Sequence, residues 1–306
     1  MKTYRLLFVN NKPAICGVYK YGHTLGSLLS QYENFHYTEA TSIYEVENAV
    51  EQYKPDFLFY NYHCHTTQWL TQDFARKHPS LLTAHDIESN WPGITNIFLD
   101  PYYIENNNNY RIVRPIPKFQ SSLNVIANSV GIWGFAFGHK YYHDMIELID
   151  SQLDYGLIRL HIPYSTYSDI NGKFAREHAD VCRKVKKNND VKLEITHEYK
   201  SDVDFLNWLS EHSVNCFLYK NVPLTQGRVG CSSSIDWAIA VRRPIAVNDN
   251  QMVRHLKHIE PSIMLENNTL PNIIKNGFEP IAKVTDEWTA ENIWKDLQRI
   301  MNLVGK

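Results

Sequence analysis

The chain is poor in several features, and each scarcity closes a class of explanation. No apolar run approaches the ~18 residues that a membrane-crossing helix needs. Met1-Lys2-Thr3-Tyr4-Arg5 passes directly into the strand-like Leu6-Leu7-Phe8-Val9, so no signal peptide is expected and the expected location is cytoplasmic. The five cysteines (Cys16, Cys64, Cys182, Cys216, Cys231) are odd in number, scattered and without a C-x-x-C pair. They read as reduced thiols of a cytosolic protein, not as a disulfide frame or zinc cage. Lys plus Arg number 31 against 33 Asp plus Glu, a formal charge of -2, which gives no global basic field for coating nucleic acid. There is no G-x-x-x-x-G-K-[ST] phosphate loop.

What is present suits a globular protein of two domains. The chain has 306 residues, enough for two cores, with 43% hydrophobic and 21% charged residues. Aromatic residues are plentiful, with 19 Tyr, 13 Phe and 7 Trp, which serve either as core or as platforms for sugars.

The first half alternates strand-like and helix-like stretches: strand Tyr4 to Val9, helix His23 to Tyr32, strand Phe35 to Thr38, helix Ile43 to Tyr53, strand Asp56 to Tyr62, helix Thr66 to His78 and strand Ser80 to Ala84. Short alternation of this kind predicts a parallel sheet wrapped by helices, with ligands beyond the carboxyl ends of the strands. Those ends carry Asn10 to Tyr19, with Gly17 allowing close backbone approach, then Asn61-Tyr62-His63-Cys64-His65, then His85-Asp86-Ile87-Glu88-Ser89-Asn90. A lone histidine is more often surface or packing. His63 and His65 would share a face of an extended segment, yet two such ligands do not make a metal site.

Residues 91–122 read as irregular, with a solvated Asn106–Asn109 tip and a stiff Pro-Ile-Pro-Lys connector as domain boundary. The expected division is 1–118, 119–284 and a C-terminal helix from 285 to 306 that returns to the first domain. The alternation then restarts: strand Leu123 to Ser129, a glycine-rich aromatic turn from Gly131 to Gly138-His139-Lys140, and helix Tyr141 to Leu153. Next come strand Gly156 to Ile162, helix Asn171 to Lys187, strand Val191 to Thr196, helix Val203 to His212 and strand Val214 to Tyr219. Asp202-Val203-Asp204 matches a D-x-D metal motif but falls where aspartate caps a helix. Lys184, Lys186 and Lys187 read as a solvated helix end. The last helix, Thr285 to Leu303, is amphipathic.

The stretch Gly230 to His255 concentrates the chemistry. Ser232, Ser233 and Ser234 precede the apolar run Ile235 to Val241, placing hydroxyls and free amides at a helix start, an end that attracts phosphate. Asp236 is placed to accept hydrogen bonds from a ribose. Pro244 stops the helix before the strand Ile245-Ala246-Val247. The plain alternative is that these serines only cap their own helix.

The Gly17 loop, His85-Asp86, Gly138-His139-Lys140 and Gly230…Asp236…Pro244-Ile245-Ala246-Val247 together resemble the nucleotide-sugar glycosyltransferases of the GT-B fold. Within them the likeness is to the retaining group that includes sucrose synthases and bacterial lipopolysaccharide glycosyltransferases. The resemblance implies two Rossmann-like domains facing across a cleft. It also implies transfer of a sugar from a nucleotide sugar, UDP-linked, to an acceptor hydroxyl, retaining and with no metal or other cofactor. Lys140 resembles the residue that neutralises the donor diphosphate, Asp236 the second acid of the E-x7-E element, and His85 the histidine beside the transferred sugar. Gly17, Gly138 and Ser232 to Ser234 fall on the donor side, and His63 and Asp86 on the acceptor side. Arg228 stands eight positions before Asp236 where the first acid of E-x7-E would be, so that acid is missing; the basic partner usual just before the lysine is also absent, and Arg228, Arg242 or Arg254 is expected to supply its charge. The acceptor is left open among a saccharide, a lipid-linked glycan, a protein, a small metabolite and modified DNA as in phage enzymes. An epimerase or hydrolase on the same fold and a non-catalytic sugar-nucleotide-binding protein are the rival readings.

Overall fold

The structure, a computed structural model, describes residues 2–12, 16–85, 91–136, 140–165, 169–220 and 231–305. They form two compact units. The first holds residues 2–117, Cys231 and residues 287–305; the second holds residues 118–220 and Ser232–Asp286.

In the first unit β1 (Leu6–Asn10), α1 (Gly17–Leu29), β2 (Phe35–Glu39), α2 (Ile43–Tyr53), β3 (Phe57–Tyr60), α3 (Gln72–Ala75), β4 (Ser80–Ala84), β5 (Thr95–Phe98) and β6 (Asn109–Arg111) follow in turn. The strands pair in parallel in the order β2-β1-β3-β4-β5-β6. β1 and β3 are apolar and buried almost throughout because a central parallel strand is covered on both faces. Leu6, Phe8, Phe57 and Phe59 face Leu25 and Leu29 of α1, while Leu7, Val9, Leu58 and Tyr60 face Val46 of α2 and Phe74 of α3.

The second unit runs β7 (Ile126–Trp133), α4 (Tyr142–Gln152), β8 (Gly156–His161), α5 (Lys173–Val185), β9 (Val191–Thr196), α6 (Asp202–Ser210), β10 (His212–Phe217), α7 (Ser233–Ala240) and β11 (Ile245–Val247). A 3-10 turn (Gln251–Leu256), α8 (Leu270–Asn276) and α9 (Glu279–Glu287) follow. Its five strands are parallel in the order β11-β10-β7-β8-β9. Each unit is thus a Rossmann-like sheet with helices packed on it. No helix among the described residues is long and apolar enough to cross a membrane.

The last helix, α10 (Ala290–Val304), belongs to the first unit. Its Ile293, Leu297, Ile300 and Met301 enter the same core as Leu6 and Phe8. Gln298 exchanges two hydrogen bonds with the Tyr4 backbone, each 3.1 Å, and Arg299 grips Glu105 through both nitrogens at 2.9 and 2.7 Å.

Several local expectations are corrected. The helix expected from His23 begins at Gly17, because the Cys16 thiol accepts from the Tyr19 amide at 3.3 Å and caps it. Gly17 is therefore the first helical residue and not a loop residue. The helix expected over Thr66 to His78 shrinks to Gln72–Ala75, since Thr71 caps there and the preceding residues close turns on His63. His63 and His65 lie in those turns instead of an extended segment. The stretch expected to be irregular supplies β5 and β6, which lengthen the sheet. Gly131 to Trp133 continue β7 by pairing with β8, so the turn starts later than its first glycine suggested. The long terminal helix is two helices, because Thr289 caps α10 afresh by accepting from the Asn292 amide.

Candidate active site

In an open parallel sheet ligands settle beyond the carboxyl ends of the strands, where the strand order reverses. In the second unit the reversal lies between β7, followed by β8 on one side, and β10 on the other. Lys140 follows β7 and forms an isolated antiparallel bridge with Tyr219, two residues beyond β10. Its Nζ donates to Tyr219 Oη at 3.1 Å and lies 4.3 Å from the centre of that ring. Lys140 is only 7% exposed. A buried ammonium is costly unless an opposite charge accompanies it, yet among the described residues Lys140 forms no ion pair.

Tyr219 is held at every polar atom. Its amide donates to Asn248 Oδ1 at 2.9 Å, and its carbonyl accepts from the side-chain amides of Asn248 and Asn250 at 2.8 and 3.1 Å. Its hydroxyl also hydrogen-bonds Ser232 Oγ. Asn248 and Asn250 follow β11, so three neighbouring strand ends fix one tyrosine. Gly134 sits behind it at φ +148°, where an added Cβ would fall 3.1 Å from Lys140 Nζ and 2.9 Å from Tyr142 Oη. Tyr142 donates to the Phe135 carbonyl at 2.9 Å, and burial pushes its phenol well above the ordinary range.

Ser232 stands at the cap position of α7 but its side chain does not cap the helix. The hydroxyl is turned to Tyr219, and its backbone amide donates to Met252 O at 2.9 Å. The plain expectation of serines spent on their own helix is therefore not what Ser232 does. Ser233 and Ser234 are half-buried at the first turn. Asp236, one turn along, is 2% exposed and engaged by the protein. Arg254 is half-buried in the 3-10 turn beside α7, its Nη1 donating to Gln251 O at 2.9 Å.

In the first unit the strand order reverses between β1 and β3, and the residues there are Asn10 and Asn61. Asn61 Nδ2 donates to Asn10 Oδ1 at 2.7 Å and to Val18 O at 2.8 Å. Next to it, beyond β4, His85 Nε2 meets Asn61 Oδ1 at 2.7 Å. Desolvation, reinforced by His63 and Arg114 nearby, pulls the His85 pKa down to about 3, so the ring is neutral at neutral pH. Tyr21 presents its edge to this ring with centres 5.3 Å apart, and His63 lies at 6.3 Å. Arg114, 1% exposed, donates to Leu99 O at 2.7 Å.

The structure thus gathers Lys140, Ser232, Ser233 and Ser234 in one unit, with Asp236 on the same helix as the serines and Arg254 in the 3-10 turn. In the other it gathers His85 and His63, with Gly17 opening α1. Asp86, Gly138 and Arg228 lie outside the described residues. Tyr219, Asn248, Asn250, Asn10 and Asn61 were not singled out from sequence. Asp202 and Asp204 fall in the first turn of α6, whose cap is Ser201, and no cluster of metal-binding side chains occurs among the described residues.

Two Rossmann-like units of this construction define the fold of GT-B glycosyltransferases. No family profile matches the sequence, and no curated protein matches it either. The likeness is to solved structures, at 11% identity in each case. AviGT4, a glycosyltransferase of avilamycin A biosynthesis, superposes with a TM-score of 0.64 over 99% of both chains. HepE of Anabaena, solved with UDP and glucose, gives 0.62 over 98% of this chain and 100% of its own. An alpha-glucosyltransferase bound to UDP and a 13-mer DNA containing a HMU base gives 0.57 over the whole of both chains.

Proposed function

We propose that this protein is a glycosyltransferase that moves a hexose from a UDP-sugar to an acceptor hydroxyl, with retention and without an essential metal. The observation that carries the reading is Lys140: a buried ammonium, held by a tyrosine at the switch point of a Rossmann-like sheet and beside the helix start at Ser232. A diphosphate would supply the counter-charge that no described residue gives this group. As the bond between the sugar's anomeric carbon and the diphosphate oxygen breaks, negative charge grows on the leaving group. Lys140, the amides of α7 and the hydroxyls of Ser233 and Ser234 stabilise it, with Arg228 and Arg254 as further cations. Gly138 is assigned to the donor side. Asp236 is assigned to the ribose, and at its present burial the ribose must displace the atoms that cover it. His85 is assigned to the transferred sugar, Gly17 to the donor side, and His63 and Asp86 to the acceptor side.

A thermal-shift panel of UDP, GDP, ADP and their sugars tests the reading, since a ligand of the native state raises Tm with the logarithm of its excess over Kd. UDP compounds are expected to stabilise, and Lys140→Ala to abolish both that shift and transfer while the protein stays folded. Normal turnover by Lys140→Ala overturns the assignment; loss of activity in EDTA overturns metal independence. A second acceptor class, base-modified DNA, is supported by the DNA-bound neighbour and opposed by the formal charge of -2. Label passing from UDP-glucose to such DNA, and to no saccharide, would favour it. Saturable UDP binding without turnover of any donor would favour the non-catalytic reading.

A further inference from the structure

Of four strands of the first sheet that lie side by side, β2 and β1 end in Glu39 and Asn10, and β3 and β4 are followed directly by Asn61 and His85. An unbroken series of hydrogen bonds crosses these ends. His85 Nε2 meets Asn61 Oδ1 at 2.7 Å, Asn61 Nδ2 meets Asn10 Oδ1 at 2.7 Å, Asn10 Nδ2 meets Tyr37 Oη at 3.1 Å, and Tyr37 Oη meets Glu39 Oε1 at 2.6 Å.

The direction of the series is fixed by groups that can act in only one sense. A side-chain amide's oxygen and nitrogen are told apart by their partners. Asn61 Nδ2 also faces the Val18 carbonyl at 2.8 Å, and Asn10 Nδ2 faces the Tyr19 carbonyl at 3.2 Å. A backbone carbonyl can only accept, so both amides are pinned by the first turn of α1. Flipping either would set oxygen against oxygen. Asn61 must therefore offer Oδ1 to the histidine, and the proton between them must sit on Nε2. At the far end the Glu39 carboxylate accepts from Tyr37 and, at 3.1 Å, from Tyr19. Every donor points toward that carboxylate, an alignment in which successive hydrogen bonds polarise one another. The series needs the close approach of α1: a Cβ on Gly22 would overlap both Asn10 Oδ1 and Asn61 Nδ2.

Among the described residues the His85 ring makes no second hydrogen bond. It retains partial exposure, with Tyr21 of α1, His63 of the turn after β3 and Arg114 beyond β6 around it. We propose that Asn61, oriented by Asn10 and the Val18 carbonyl, is a positioning residue that holds His85 as its Nε2–H tautomer and reserves Nδ1 to accept a hydrogen bond from a hydroxyl of the bound sugar. The sugar part of this inference rests on the transferase reading; the tautomer does not. A ring fixed in this way accepts at Nδ1 and cannot donate there, so it selects a hydroxyl and rejects a deoxy analogue at that position.

The test reads the ring directly. In full-length protein labelled with 15N-histidine, with His85 assigned by the loss of its signals in His85→Gln, the neutral ring is expected to show a protonated Nε2 and an unprotonated Nδ1 at pH 7. A protonated Nδ1, or averaging between tautomers, overturns the proposal whatever the protein's activity. Asn61→Leu removes the acceptor and is expected to release the tautomer and lower kcat/KM for transfer roughly ten- to a hundredfold. Asn61→Asp keeps an oxygen toward Nε2–H and sets its other oxygen against Asn10 Oδ1 and the Val18 carbonyl, so its Tm is expected to fall; where the carboxyl ionises, its charge favours the imidazolium and raises the histidine pKa. The charged ring has no acceptor, so this variant is expected to lose transfer at acid pH and regain it as pH rises through the new pKa. A merely structural role would lower Tm in both variants without moving the tautomer or creating that pH profile, and such a result would also sink the proposal. If no donor is turned over while wild-type His85 shows the Nε2–H form, the transferase reading fails and the tautomer assignment stands.

Discussion

Tyr219 shows how much chemistry one side chain can organise. Its hydroxyl touches Lys140 Nζ and Ser232 Oγ, and its backbone is fixed by donating to Asn248 Oδ1 and accepting from the side-chain amides of Asn248 and Asn250. Tyr219→Phe removes one oxygen and keeps the ring under the ammonium. It is expected to cost about 1 kcal/mol of stability and to weaken UDP binding roughly tenfold, as read by calorimetric titration, because Lys140 is no longer aimed. Unchanged affinity would show that the lysine is positioned by its bridge alone. Nothing in the sequence singles this tyrosine out. It follows an apolar strand by two residues, where aromatics are ordinary, and its partners lie 79 and 13 positions away. Lys140 and the three serines were legible because their signal is local, a cation or a hydroxyl cluster next to a helix start. Asn10 and Asn61 carry no such signal, since asparagine after a strand is the ordinary signature of a turn.

At the level of elements, buried imidazoles tie the second sheet to α6. His161 closes β8 and His212 opens β10, both essentially inaccessible, with His212 against Trp208 at 4.4 Å and His161 against the same ring at 5.5 Å. Burial lowers their pKa values to about 4 and about 3. The unfolded chain, with histidines near their ordinary value of about 6.5, then binds protons that the folded one refuses. Stability is complete above that value and falls as pH drops toward 4, by about 1.4 kcal/mol per pH unit for each such ring. The urea midpoint is expected to fall between pH 7 and pH 5, and less steeply in His161→Gln; equal slopes would contradict the assignment. Which strands exist was largely readable, because β1, β3, β4 and β9 are apolar or alternating runs bounded by turn residues. β5 and β6 were not, being four and three residues long and interrupted by asparagine. The break before α10 was in the sequence as a threonine cap, but the apolar stripe that continues through Trp288 hid it.

The whole molecule carries separate cores for its two units, so unfolding need not be a single event. Leu160 and Leu297 are buried in different cores, and truncating either to alanine is expected to cost about 2–5 kcal/mol. By calorimetry Leu160→Ala should lower one transition and Leu297→Ala the other, with UDP raising the transition that Leu160→Ala lowers. Equal movement of one common transition would show that the two cores melt together.

The α10 helix that fills the first core also constrains how the protein can be made. A ribosome releases residues in order, and domains are commonly complete before the next emerges. Here Leu6 and Phe8 wait for Ile293, Leu297 and Met301, which follow the whole of the second unit in the chain. The first α/β layer must therefore stay unfinished, its apolar floor exposed or sheltered by a chaperone, until the second unit and α10 have both been translated.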